Sequence, residues 1–162
     1  MTELVVIRGN SASGKTSLAK LVQAKIPASL LVSQDVLRID MLQVKDRPQN
    51  LAIPLIQQTV LFGIDRVDVV ILEGILRRDV YGDMLTELGE KFSRVAVYYL
   101  DVPLQTTLAR HAQRPEAAKF SADHLIDWYR PHDQLSLQNE TNFDESWSLN
   151  QMAAHILQAL KS

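Results

Sequence analysis

Residues 4 to 16 read Leu4-Val5-Val6-Ile7-Arg8-Gly9-Asn10-Ser11-Ala12-Ser13-Gly14-Lys15-Thr16, and the reading of this stretch decides the fold. The apolar run Leu4 to Ile7 is continuous rather than alternating, which suits a strand buried on both faces of a parallel sheet. Gly9 to Thr16 then follows the pattern G-x-x-x-x-G-K-[ST], with helical sequence from Ser17 onward, so the pattern stands between a strand and a helix as its chemistry requires. Glycines let such a loop wrap until successive N–H groups and the helix N-terminus face a phosphate. Gly9, Asn10, Ser11, Ala12, Ser13, Gly14, Lys15, Thr16 and Ser17 are therefore the candidate nucleotide-binding residues. Lys15 supplies a point charge to the β- and γ-phosphates, and the Thr16 hydroxyl is a hard oxygen ligand suited to Mg²⁺. A plain helix-capping turn has no need of Lys and Thr at these offsets.

Outward from the loop, similar apolar runs recur at Leu30 to Val32, Val67 to Leu72 and Val95 to Leu100. Between and after them lie helically spaced sets: Leu18, Leu21 and Val22; Leu51, Leu55 and Val60; Met84, Leu85 and Leu88; Leu104, Leu108 and His111. This alternation predicts a doubly wound α/β sheet. Met152, Ala153, Ile156, Leu157 and Leu160 share one helical face, the mark of a closing helix laid on the sheet. Pro48 is expected to open a helix running to about Arg66, and Pro115 to end the one before it. The stretch from Pro115 to about Asp144 is the least periodic, and a lid is expected within about residues 110–135.

At 162 residues with 46% hydrophobic and 22% charged side chains, the chain is expected to form one domain, 1–162, with a full core. The formal net charge of -2 offers no footprint for a polyanionic backbone and disfavours a dedicated nucleic-acid binder. No Cys is present, so disulfide staples and zinc–thiolate sites are excluded, and the absence suits a reducing compartment. Apolar runs fall far short of the ~20 residues that cross a bilayer, and Met1-Thr2-Glu3 lacks the basic start of a signal peptide. A cytoplasmic location without membrane attachment is the expectation.

In a parallel sheet the second strand's end, Ser33-Gln34-Asp35, falls on the same edge as the phosphate loop. Asp35 can act there as general base on an attacking hydroxyl, while Arg38, three residues on, holds a polar or anionic part of the same substrate. The simpler alternative is that Asp35 or Ser33 only caps the helix starting near Val36. Val67 to Gly74 reads as a buried strand ending in an acid. Glu73 is expected to orient Mg²⁺ behind Thr16 or to polarise the substrate hydroxyl. Asp68 is placed at that strand's solvent end, and Arg77 and Arg78 are weak substrate contacts.

The helix after Asp101-Val102-Pro103 carries Arg110 and Arg114 on one face, where two like charges repel unless an anion lies between them. The phosphates of ATP are such an anion, and the planar guanidinium of Arg110 suits stacking on adenine as well. Both arginines are candidates for catalysis, with Lys15 and Asp35. His111, His124, His132 and His155 show no ligand spacing. Trp128, Tyr129 and Trp147 read as core and lid packing, and Asp101 as a helix cap.

Taken together, the loop at 9–16, Asp-x-x-Arg at 35–38, Glu73-Gly74 and the arginine pair resemble the P-loop kinase group. Within it the chain is most similar to the small bacterial kinases placed with chloramphenicol phosphotransferase, zeta toxins and polynucleotide kinase, and Glu73-Gly74-Ile75-Leu76 also looks like uridine kinase. The resemblance implies a three-layer P-loop NTPase fold with a five-stranded parallel sheet in the order 2-3-1-4-5 and a helical lid. It implies ATP with Mg²⁺ as donor, adenine held between the lid arginine and the loop before the last helix, and Asp35 as the base. The expected function is transfer of the γ-phosphoryl group to a hydroxyl of a small molecule, whether metabolite, nucleoside or antibiotic. The rival readings are a nucleotide-binding switch that hydrolyses slowly without an acceptor, and a 5′-hydroxyl polynucleotide kinase.

Overall fold

The computed structural model describes residues 1–115, 120–135 and 139–162. The four apolar runs become β1 (Glu3–Gly9), β2 (Ser29–Ser33), β3 (Val69–Gly74) and β4 (Arg94–Asp101). Helices α1 (Lys15–Gln23), α2 (Ala52–Phe62), α3 (Arg78–Gly89), α4 (Leu104–Ala112), α5 (Ala122–Trp128) and α6 (Leu149–Lys161) lie between and after them, and a π-helix spans Val36–Leu42. A further strand, β5 (Glu140–Asp144), completes one parallel sheet in the order β2-β3-β1-β4-β5 among the described residues.

Alternation along β1 divides the core. Leu4 and Val6 join α2 and α3 on one face through Ile56, Val60, Tyr81 and Leu88. Val5 and Ile7 join α1 and α6 on the other through Leu18, Val22, Ala153 and Ile156. Opposite faces are required because α1 leads outward from β1 to β2 whereas α2 and α3 lead back across the sheet, and crossovers share one hand. Fully buried side chains such as Ile7, Ile71 and Leu72 each stabilise the fold by roughly 1.5–3 kcal/mol. All strands run parallel, so their C-terminal ends, with the loop after β1, form one edge.

Two expectations are corrected. The helix expected to open at Pro48 and run to Arg66 spans only Ala52–Phe62; Pro48 lies in the preceding turn, and the Ala52 N–H donates to Asn50 Oδ1 at 2.9 Å, so Asn50 sets the start. Asp101 does not cap α4, whose first turn has no side-chain cap; instead its Oδ2 lies 2.8 Å from His132 Nδ1. The least periodic stretch contains β5. Its sequence Glu-Thr-Asn-Phe-Asp buries only Phe143, which stacks on Tyr98 at 5.4 Å, and a polar edge strand leaves no alternating pattern to read. Of the expected lid, α5 and the end of α4 are described, while 116–119 lies outside the described residues. Among the described residues no helix is long and apolar enough to cross a membrane.

Candidate active site

The loop after β1 closes on itself: Ser13 N–H donates to Asn10 O at 3.1 Å, and Lys15 Nζ donates to the same oxygen at 3.1 Å. Gly14 stands at φ 104, a left-handed conformation costly for any residue with a Cβ, and from it α1 begins. No side chain caps this helix start, so its first N–H groups have no side-chain acceptor, and an anion is favoured there.

Lys15 is 6% exposed, and burial pulls its ammonium below its ordinary value. Glu73 and Asp35 oppose that shift and Arg114 adds to it. Glu73, Asp35 and Arg114, all singled out from sequence, thus lie near enough for their charges to bear on Lys15. Glu73, 3% exposed at the end of β3, accepts from Ser33 Oγ at 2.8 Å and lies 3.3 and 3.4 Å from Thr16 Oγ1. Hydroxyls from Thr16 and Ser33 and one carboxylate make an all-oxygen corner, the donor set of a hard cation such as Mg²⁺.

Asp35 heads the π-helix without forming a side-chain cap, so the capping alternative does not describe it. Its carboxylate is largely open and 3.9 Å from Arg38 Nη2. Arg38 is turned toward the chain that follows: Nη1 donates to Val44 O at 3.0 Å and Nε lies 4.0 Å from Asp46 Oδ1. Arg77 pairs with Asp79 at 2.6 Å, a contact local to the start of α3. On the other side Arg110 Nη1 donates to Ser13 O at 2.6 Å, fixing α4 against the loop. Arg110, Ser13, Gly14, Ser17, Trp147 and Leu149 are among the residues lining a cavity of about 460 Å³ beside the loop. Trp147 thus does more than pack. Its ring lies 4.8 Å from that of Phe143, and the same residue lines this cavity. Trp128 stacks on His124 at 5.4 Å within α5, and Tyr129 OH donates to Val102 O at 2.9 Å, both packing roles.

Sequence reasoning passed over several residues that shape this edge. Arg8 is fully buried and donates to Leu76 O at 3.1 and 2.8 Å and to Asp133 O at 2.8 Å. Burial pulls its guanidinium down, and Asp133 and Glu140 counter the shift. A charge set inside an otherwise apolar strand was the available signal, because a buried arginine must find partners. Gln34, Asp46 and Tyr81 form a second polar group. Gln34 Oε1 accepts the Leu76 N–H at 2.9 Å, and Tyr81 OH donates to Asp46 Oδ1 at 2.5 Å. Gly74 admits Gln34, since a Cβ there would stand 2.4 Å from Gln34 Oε1 and 2.6 Å from its Cβ. No local pattern marks these residues, as their partners lie tens of residues away.

Residues 4–132 match the family described as AAA domain, AAA_33. No curated protein matches the chain. In structure the chain is similar to a protein of Chloroflexus aurantiacus, with TM-score 0.75 and 19% identity over 99% of this chain and 96% of that one. It is also similar to the APS kinase of Mycobacterium tuberculosis, solved in complex with AMPPNP and APS (TM-score 0.72, 18% identity, 99% and 98% covered). A third similar structure is the tunicamycin resistance protein of Deinococcus radiodurans (TM-score 0.71, 19% identity, 99% and 96% covered). At these identities the likeness establishes a shared fold.

Proposed function

Because the chain belongs to the AAA_33 family of AAA domains, we propose that it is an ATP-dependent kinase transferring the γ-phosphoryl group to a hydroxyl of a small molecule. The observation that carries the reading is the open carboxylate of Asp35 just past the end of β2, on the same sheet edge as the buried Lys15 and the Thr16–Glu73 pair. A slow binding site needs the loop and its lysine. It does not need an open carboxylate at the end of the neighbouring strand. The APS kinase of similar fold was solved in complex with AMPPNP and APS, which supports a fold that takes a nucleotide and a second small molecule together.

In the proposed reaction the nucleotide lies along the loop, its base in the cavity between Arg110 and Trp147 and its β- and γ-phosphates against the loop N–H groups. Lys15 leaves Asn10 O to meet the phosphates, and Arg114 adds charge beside it. Thr16 and Glu73 would hold Mg²⁺, which would supply positive charge against the phosphates. Asp35 accepts the hydroxyl proton as the acceptor oxygen bonds to the γ-phosphorus, the bond from that phosphorus to the β–γ bridging oxygen breaks, and ADP leaves. The oriented loop and cations supply most of the rate by stabilising charge in a site already arranged for it.

The test is Mg²⁺-dependent ADP release from ATP across nucleosides, sugars, aminoglycosides, chloramphenicol-like alcohols and a 5′-hydroxyl oligonucleotide, with Asp35→Asn beside wild type. A small acceptor that raises turnover roughly tenfold or more, and only with Asp35 present, supports the reading. A slow basal rate indifferent to every acceptor and to Asp35 overturns it in favour of a switch, and stimulation by the oligonucleotide alone in favour of a polynucleotide kinase.

A further inference from the structure

Asn10 is treated by the loop pattern as a free position, yet its side chain is 5% exposed and fully engaged. Its Nδ2 donates to Arg130 O at 2.8 Å, and its Oδ1 accepts the Arg130 N–H at 2.8 Å. Only a short carboxamide can give and take in this way: a carboxylate would face the Arg130 carbonyl with another acceptor, and a hydroxyl would not reach both groups. Arg130 lies in a strap, residues 129–135, that leads from α5 toward β5. Three residues on, Asp133 is bound from every side. Its N–H donates to Tyr99 OH at 3.0 Å, its carbonyl accepts from Arg8 Nη1, and its Oδ2 accepts from Arg8 Nη2 at 3.1 Å and from the Arg78 N–H at 2.9 Å.

That last contact caps α3 from 55 residues away. Arg77, at the cap position itself, provides no side-chain capping bond, so an orphan N–H at the helix start is satisfied by the strap. Just before it Leu76 holds φ 45, a strained conformation for a leucine. It is held there from both ends, its N–H by Gln34 and its carbonyl twice by Arg8. Strain of this kind persists where surroundings over-determine it. The β3–α3 link, which begins two residues after Glu73, is thus set by Arg8, Gln34 and Asp133 acting together.

We propose that Asn10 is a positioning residue that links the phosphate loop to the acceptor side, through the strap at Arg130 and Asp133 to the Leu76–Arg78 link. The inference rests on the kinase reading for its purpose, although not for its geometry. Lys15 donates to the backbone carbonyl of the same Asn10 whose side chain grips the strap. When Lys15 moves to a bound phosphate, Asn10 loses that bond, and its side-chain pair with Arg130 is where the change passes on. The acceptor half is then shaped by occupancy of the nucleotide half.

The experiment is residue-resolved amide hydrogen exchange on the full chain, comparing wild type with Asn10→Asp, which keeps the size and replaces the donating NH₂ by an acceptor, and with Tyr99→Phe, which removes the acceptor for the Asp133 N–H. Without ligand, exchange at Arg130, Asp133 and Arg78 is expected to rise roughly tenfold or more in Asn10→Asp, while Ile156 in α6 is unchanged. Should Asn10→Asp not fold, Tyr99→Phe carries the same expectation for Asp133 and Arg78. Faster exchange confined to the mutated residue's direct partner overturns the linkage. With Mg²⁺ and ADP added, Asp133 and Arg78 are expected to slow in wild type and to respond less in Asn10→Asp. ADP that slows the loop amides but leaves Asp133 and Arg78 untouched also overturns it. ADP that protects no loop amide counts against the kinase reading, and the ligand-free comparison then decides the linkage by itself.

Discussion

Ser33 and Glu73 stand opposite each other in the β2–β3 ladder, and the Ser33 hydroxyl donates to Glu73 Oε1 at 2.8 Å. Parallel register therefore brings a side chain from the neighbouring strand to orient the carboxylate that faces Thr16. Partners of this kind tune metal sites by about 10- to 100-fold. Ser33→Ala is expected to raise the Mg²⁺ concentration needed for half-maximal ATP turnover by about that factor, and Glu73→Gln to do at least as much. An unchanged Mg²⁺ titration in Glu73→Gln would remove Glu73 from the metal corner.

Lys15→Ala is expected to lower turnover by on the order of 10²-fold or more, the effect of losing one preorganised charge. Asp35→Asn should lose about 10²- to 10⁴-fold in kcat while nucleotide affinity is kept. Steady-state kinetics with the best acceptor, beside equilibrium nucleotide binding, separates these outcomes. Equal loss of binding and of kcat in Asp35→Asn would place the residue in the nucleotide half instead.

Trp147 borders the cavity beside Ser13 and Gly14, whereas Trp128 lies in α5 against His124 and Phe120. Nucleotide binding is expected to change intrinsic fluorescence through Trp147. The change should vanish in Trp147→Phe and survive in Trp128→Phe. Survival in the first variant would move the base away from the loop before α6.

Burial pushes the phenols of Tyr81 and Tyr99 up to about 12, aided at Tyr81 by its bond to Asp46. Burial raises Tyr98 and Tyr129 too. A phenol whose folded value lies above the ordinary ~10 keeps its proton more tightly when folded, so its contribution to stability is complete below about pH 10 and is lost as pH climbs toward 12. Tyrosine ionisation followed by ultraviolet absorbance should begin above the ordinary range and coincide with loss of helical circular dichroism. Tyr81→Phe should flatten the alkaline fall in stability. Ionisation of all four tyrosines near pH 10 with the fold intact would contradict this assignment.

What the chain's own order determined is local. The continuous apolar run Leu4 to Ile7, the glycines and Lys15-Thr16 at set offsets, and acids at the ends of two further strands each act through neighbours a few residues away, and periodicity records such neighbours. Those features place Lys15, Thr16, Asp35 and Glu73 on one edge. Tertiary structure alone decided the rest: that Glu140–Asp144 is a strand, since an edge strand with one buried residue has no pattern; that Arg38 turns to Val44 rather than outward; and that Asn10 grips Arg130. Arg8 and Asp133 are 125 positions apart. A hydrogen bond over that distance leaves no trace in spacing, because only the folding of the sheet and its strap brings donor and acceptor within reach.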